Sequence, residues 1–119
     1  MRQVGKFAIY GFRLKGCPDV RYVGLTGVSP ESRLRRLTKE AEMYGRRATT
    51  GIGGWLLDNR DNIEVFLIVR TRTLQEARVA ERTAIAALVE GGHRLLNRWL
   101  VPVDKRIDWI APRYLAEAA

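Results

Sequence analysis

Three kinds of side chain in this sequence are placed where ordinary packing does not want them. The plainest case is Glu81. At 100° per residue, Ala77, Ala80, Ala84, Ile85 and Leu88 make one apolar stripe, and Glu81 falls inside it with apolar neighbours on both sides. A carboxylate in a core-facing sector costs on the order of several kcal/mol unless a cation or hydrogen bonds compensate it. Two readings follow: an internal arginine pairs with Glu81, or the helix offers it in a cleft as ligand to a hard divalent cation, which prefers carboxylate oxygen. Glu76 and Glu90 lie at or beyond the stripe edges and read as solvated charges. Arg33 is the second case. Leu34, Leu37 and Ala41 define a buried helix face, and Arg33 sits at its border, aimed across a sheet edge rather than into water. The third is a pair of phenols, Tyr10 and Tyr22, in strand-like segments. Strands favour aromatic residues for packing alone, but Gly11 and Gly24 adjoin them and leave room for a ligand or backbone to approach.

The elements that carry these residues can be read in order. Lys6 to Phe12 is a strand, Gly16-Cys17-Pro18-Asp19 a turn, and Arg21 to Thr26 a second strand, together an antiparallel hairpin. Ser29-Pro30-Glu31 starts a helix that should reach about Tyr44, with serine as N-cap and proline in the first turn. A short helix is expected within Thr49 to Asn59, and Asn59-Arg60-Asp61-Asn62 is a turn. Ile63 to Thr71 is the most continuous apolar run, which reads as a central strand. Thr73 caps a long helix ending at Gly91-Gly92. The tail, with Trp99, Val101, Val103, Trp109 and Ile110, is apolar enough to dock on the core.

At 119 residues and 46% hydrophobic, the chain has the size and core of one domain, without repeats or linkers. The unbroken apolar stretches, the strand-sized Val65 to Val69 among them, are far too short to cross a bilayer, so no membrane span is expected, nor is a secretory signal. The single cysteine, Cys17, has no partner for a disulfide or a zinc cluster and reads as an inert loop residue; a reducing, intracellular setting is expected. The net charge is +8, from 17 arginines and 4 lysines. Arginine's planar fork suits phosphate, so a polyanionic partner is expected, although a GC-rich genome also produces arginine-rich chains.

Ala8-Ile9-Tyr10, followed by Tyr22-Val23-Gly24, resembles the paired motifs of the GIY-YIG nuclease superfamily, with Ala8 in place of the first glycine. Thr26 falls two residues after Gly24 as in that family's YVG-x-T variants. Arg33 takes the place of the family's helix arginine, and Leu74 to Glu81 resembles its glutamate helix. Leu95-Leu96-Asn97 after Gly91-Gly92 matches a further motif. The similarity spans about residues 7–97, leaving 98–119 as a C-terminal extension.

The resemblance implies an α+β fold, a three-stranded antiparallel sheet flanked by helices, and a metal-dependent endonuclease that hydrolyses phosphodiester bonds in nucleic acid, with DNA the expected substrate and RNA left open. It implies a catalytic set of Tyr10, Tyr22, Arg33, Glu81 and Asn97, with Glu81 holding Mg2+ or Mn2+. Tyr10 would be the general base, Tyr22 would orient water or phosphate, and Asn97 would brace the site. Thr26, Arg35, Arg36, Lys39, Arg46 and Arg47 are expected to contact nucleic acid. The alternative is a domain of the same fold that binds without cutting. It draws on one departure: many members carry histidine or tyrosine one turn after the arginine, where this chain has Leu37, so that either Tyr44 or a residue of the tail takes that place or Tyr10 works without it. Relatives in that family take much of their specificity from attached domains. A protein partner or homo-oligomer is therefore expected here, and a phage or mobile-element setting. A free phenol is ionised to about one part in a thousand at pH 7. Positive charge from Arg33 and a cation should lower the Tyr10 pKa, with activity rising above pH 7.

Overall fold

The computed structural model describes residues 5–46, 52–97 and 100–105. In chain order they form β1 (Phe7–Leu14), β2 (Val20–Thr26), α1 (Pro30–Tyr44), α2 (Gly53–Asp58), β3 (Ile63–Thr71) and α3 (Leu74–Glu90), followed by a single 3-10 turn at Val103–Lys105. The three strands make one antiparallel sheet in the order β2-β1-β3, so the fold is α+β as expected.

The central strand is β1, not β3. Ala8, Ile9 and Phe12 are fully buried, whereas every residue of β3 is at least partly exposed, Leu67 by 45%. The reason is what each strand meets on its two faces. The even-numbered side chains of β1, Tyr10 and Phe12, pack with Leu37 and Ala41 of α1 and with Trp55 and Leu56 of α2. On the other face Ile9 packs with Val23, Ala77 and Ile85 of α3, and Leu95. Only β1 is covered on both faces and paired on both edges. An apolar run of β3's kind marks a buried strand when both faces are covered, and here it serves one edge of the sheet. β3 also carries an irregularity: Ile9 pairs with Val69 but Tyr10 pairs with Leu67, which leaves Ile68 as an extra residue beside Tyr10.

The helix ends follow local chemistry. The Ser29 hydroxyl oxygen accepts from Ser32 N–H (3.1 Å) and Pro30 occupies the first turn, where its missing N–H costs nothing. Thr73 caps α3 in the same way, accepting from Glu76 N–H (3.1 Å). At the other end of α3 Gly92 adopts φ +90°, a left-handed conformation that a side chain would disfavour. The chain reverses there, with Gly92 N–H on Val89 C=O (3.1 Å) and His93 N–H on Leu88 C=O (3.0 Å).

That reversal sends residues 93–97 along the outer edge of β2. His93 Nδ1 accepts from Val20 N–H (3.0 Å), and Leu96 N–H donates to Arg21 C=O (2.6 Å). Asn97 then uses both ends of its amide on one residue: Oδ1 accepts from Val23 N–H (3.0 Å) and Nδ2 donates to Val23 C=O (2.7 Å). A strand edge that would otherwise expose its polar backbone is thereby closed by side chains and a short extended segment. Val101 is buried in the cluster with Ile9, Val23 and Leu95, while Trp99, Trp109 and Ile110 lie outside the described residues.

Asn97 is 8% exposed, and its loss strands two backbone groups. Asn97→Ala should destabilise the chain by about 3 kcal/mol, since each buried group left unsatisfied costs about 1–3 kcal/mol. Asn97→Asp should also destabilise, because its second oxygen would oppose the Val23 carbonyl. Urea denaturation checks both, and wild-type midpoints in either would show that Asn97 does not hold the β2 edge.

Candidate active site

Tyr10 projects from the central strand and is 1% exposed. Its ring belongs to an aromatic group on the α1–α2 face of the sheet, with centroids 5.1 Å from Phe12 and 6.4 Å from Tyr22; Phe12 and Tyr22 are stacked at 5.4 Å. Tyr10 is paired across the strands with Gly24, and its hydroxyl lies over that residue so closely that a Cβ on Gly24 would overlap it. Glycine at position 24 is therefore a spatial requirement of the phenol, which crosses β2 toward the edge that Asn97 closes.

The Tyr10 pKa is pushed well above the ordinary phenol range. Burial is the main cause, the neighbouring Tyr22 hydroxyl adds to it, and Glu81 raises it further by its charge. Arg33, by charge and by its N–H groups, pulls the other way without offsetting burial. Arg33 acts in the expected direction, but the expected net lowering is corrected: in a site this dry the desolvation of a phenolate outweighs one guanidinium. Tyr10 is thus beside Tyr22 and Arg33 and within electrostatic range of Glu81, residues carried by β1, β2, α1 and α3.

Glu81 is half-buried on α3. Among the described residues its carboxylate has no salt bridge and no hydrogen bond; burial raises its pKa, and Arg78, three residues earlier on the same helix, lowers it by charge. No described arginine is paired with it in the core. Among the described residues no group of three or more His, Cys, Asp or Glu comes together, so protein ligation of a cation here would rest on this one carboxylate. That suits a small divalent ion that keeps most of its water and takes one or two carboxylates plus substrate phosphate.

Asn97 does not reach the phenols with a free polar atom; both ends of its amide are used on Val23, between Tyr22 and Gly24. It is a positioning residue. Leu37 is 3% exposed and packed in the cluster around Tyr10 and Trp55, so its position supplies no proton acceptor. Tyr44 does not take that place: it is 73% exposed and lies eleven residues along α1 from Arg33, about 16 Å of helix rise.

The residues expected to contact nucleic acid divide sharply. Arg35, Arg36 and Lys39 are exposed on α1; Arg35 donates to the Ser32 hydroxyl (3.0 Å), and Arg36 lies 3.8 Å from Glu40. Arg46 is instead committed to Asp58 through a two-pronged ion pair (2.8 and 2.7 Å), and its carbonyl accepts from Gly54 N–H, so it ties the end of α1 to α2. Thr26 is buried, and its hydroxyl oxygen accepts from Val28 N–H (3.1 Å) in the turn before α1. Arg47 lies outside the described residues. Sequence reasoning missed His93 as an edge brace; its place directly after the Gly91-Gly92 reversal was the available signal. It also missed Lys15 and Arg60, which share a groove with Arg35 and Lys39.

Compared with known proteins, the chain matches no family model, no curated protein and no solved structure.

The raised Glu81 pKa has a stability consequence with a definite sign. The folded chain holds this proton more tightly than the unfolded chain, so stability falls as pH rises from about 4.5 through the folded pKa. Without bound metal, Glu81→Gln should therefore melt above wild type at pH 7, with the gap closing below about pH 4. Thermal melts across that range, with chelator present, check this. A variant that melts lower at neutral pH would show that Glu81 has a stabilising cation after all.

Proposed function

We propose that this chain is a metal-dependent nuclease of the GIY-YIG type, cleaving phosphodiester bonds in nucleic acid, with DNA as the expected substrate. One observation carries the reading: an acid without an ion pair or hydrogen bond among the described residues, Glu81, stands within electrostatic reach of a buried phenol that also has Arg33 and Tyr22 beside it. A structural ion pair would have neutralised Glu81, and a packing tyrosine has no need of an arginine and a glutamate near its hydroxyl. The motif residues quoted above and the order of elements support the family reading.

Glu81 is the residue that would hold Mg2+ or Mn2+. Bound there, the ion would supply Lewis-acid polarisation of the phosphate and charge for the leaving oxygen. Arg33 would take a non-bridging phosphate oxygen and offset charge that builds in the transition state. Tyr22, half-buried beside Tyr10, orients the attacking water or the phosphate. Tyr10 accepts the proton of that water, and to do so it must first be a phenolate. Burial opposes that state, so the reactive fraction grows tenfold per pH unit until the raised pKa is reached. The surrounding apolar rings keep bulk water from competing for the same proton.

A second reading, a domain that binds nucleic acid without cutting it, is favoured by Leu37, whose burial denies Tyr10 a second proton acceptor from α1. A protein partner or second copy that supplies specificity is compatible with either.

Plasmid, single-stranded and branched substrates incubated with Mg2+ or Mn2+, with and without chelator, separate the two readings. Cleavage that chelator abolishes is expected. Tyr10→Phe, Arg33→Ala and Glu81→Gln should each lower kcat by at least about a hundredfold while remaining folded. With chemistry limiting, log kcat should climb by about one per pH unit from pH 7 to 9. A plateau in that interval would remove Tyr10 as the base, and full cleavage by Glu81→Gln would remove it from the metal site.

A further inference from the structure

A groove of about 500 Å³ lies beside α1, away from the tyrosine pair. Lys15, Arg35, Lys39 and Arg60 stand around it, over a floor that includes Leu34 and Ile63. Two acids also line it, against four cations: Glu42 is taken up by an ion pair, and Asp61 is bonded, among the described residues, only through its backbone carbonyl. Glu42 holds Arg60 at 3.2 Å, while Asp61 sits in a left-handed turn (φ 65°) whose carbonyl accepts from Lys15 Nζ (3.0 Å). Lys39 has no ion pair among the described residues, and Arg35 bonds only the neutral Ser32 hydroxyl. The groove therefore combines surplus positive charge at its rim with an apolar base. A phosphate suits the rim and a planar, weakly polar ring suits the floor. Its volume falls within the range of small-molecule sites, large enough for one nucleotide.

Its position relative to the phenols adds a constraint. At 100° per residue, Leu37 and Ala41 mark the buried side of α1. Arg33 borders that side on one flank; Leu34, Thr38 and Glu42 lie toward the other, with the groove. The helix, about 10–12 Å across with side chains, stands between. Its outer surface, which a strand would cross from Arg33 to the groove, carries Arg36 and Lys39, both exposed. A base held in a paired stack cannot drop into such a groove, whereas an unpaired nucleotide can.

We propose that this groove binds an unpaired nucleotide of the strand being cut, phosphate on Lys39 and Arg35 and base on Leu34 and Ile63, so that the substrate class is nucleic acid with a single-stranded end or flap rather than continuous duplex. The proposal rests on the nucleic-acid reading of the neighbouring site and deepens it.

The test is fluorescence anisotropy of the full chain with chelator present, so that nothing is cut. The probes are a blunt duplex and the same duplex with a short unpaired extension of either polarity. The extended probe should bind about tenfold tighter than the blunt one. Lys39→Glu and Arg35→Glu should each remove most of that preference and lower the salt slope for the extended probe by about one. Lys39→Gln serves if charge reversal disturbs folding, which circular dichroism reports. An abasic extension should bind more weakly than a normal one; equal binding would overturn the role given to the apolar floor. Equal affinity for both duplexes, equal losses on both in the variants, or no binding to either would overturn the proposal. Cleavage without a preference for unpaired strands sinks this inference alone. A preference without cleavage sinks the nuclease reading and leaves the groove.

Discussion

Both hydrogen-bonding groups of Val23 are held by one side-chain amide, and the geometry around Tyr10 depends on it. β2 is an edge strand, and an edge strand with free backbone groups can slip or pair elsewhere. A slip of one residue would turn Tyr22 to the opposite face and carry Gly24 out from under the phenol. Asn97 prevents this by offering a donor and an acceptor at the spacing of a ladder partner, with His93 and Leu96 repeating the closure toward the hairpin. The chain reaches that edge because α3 ends at a glycine able to take a positive φ. A C-terminal helix stop, a strand edge and a chemical site are in this way parts of one construction.

The site has the electrostatics of a place prepared for a ligand. The pKa values of Tyr10 and Glu81 are both raised, and for the same leading reason, withdrawal from water. Arg33 offsets part of this at Tyr10, and Arg78 part of it at Glu81. The remaining imbalance, two groups pushed toward neutrality, would be relieved by positive charge arriving from outside. It would be worsened by more negative charge, so an anionic phosphate is better received together with a cation than alone. Perturbed groups mark functional sites more often than packing accidents do, and here two of them, Tyr10 of β1 and Glu81 of α3, lie within electrostatic range of each other.

Basic surface is distributed unevenly. A count of arginines from composition treats them alike, but the fold assigns them different work. Arg46 clamps a loop to α2, Arg13 pairs with Glu64 and stacks on Phe66 at 4.5 Å, and Arg33 serves the buried phenol. What remains for a polyanion on α1 is Arg35, Arg36 and Lys39, and it runs from the site toward the groove. Part of the positive charge that first suggested a nucleic-acid partner is thus taken up by contacts within the fold.

Local signals in the sequence determined the element order, both helix starts and the anomaly at Glu81, because caps, turns and periodicity act over a few residues. They also placed Tyr10, Tyr22 and Arg33 among the residues to watch. Which strand is central was decided only by tertiary packing, since an apolar run records how much a strand can bury and not how many neighbours it receives. The direction of the Tyr10 pKa was decided in the same way. A nearby arginine is visible in sequence, but the depth of burial that overrides it is a property of three layers closing around one ring. The use of Arg46 as a clamp and of His93 as a brace likewise depended on partners twelve and seventy-three residues away, beyond the reach of any local pattern.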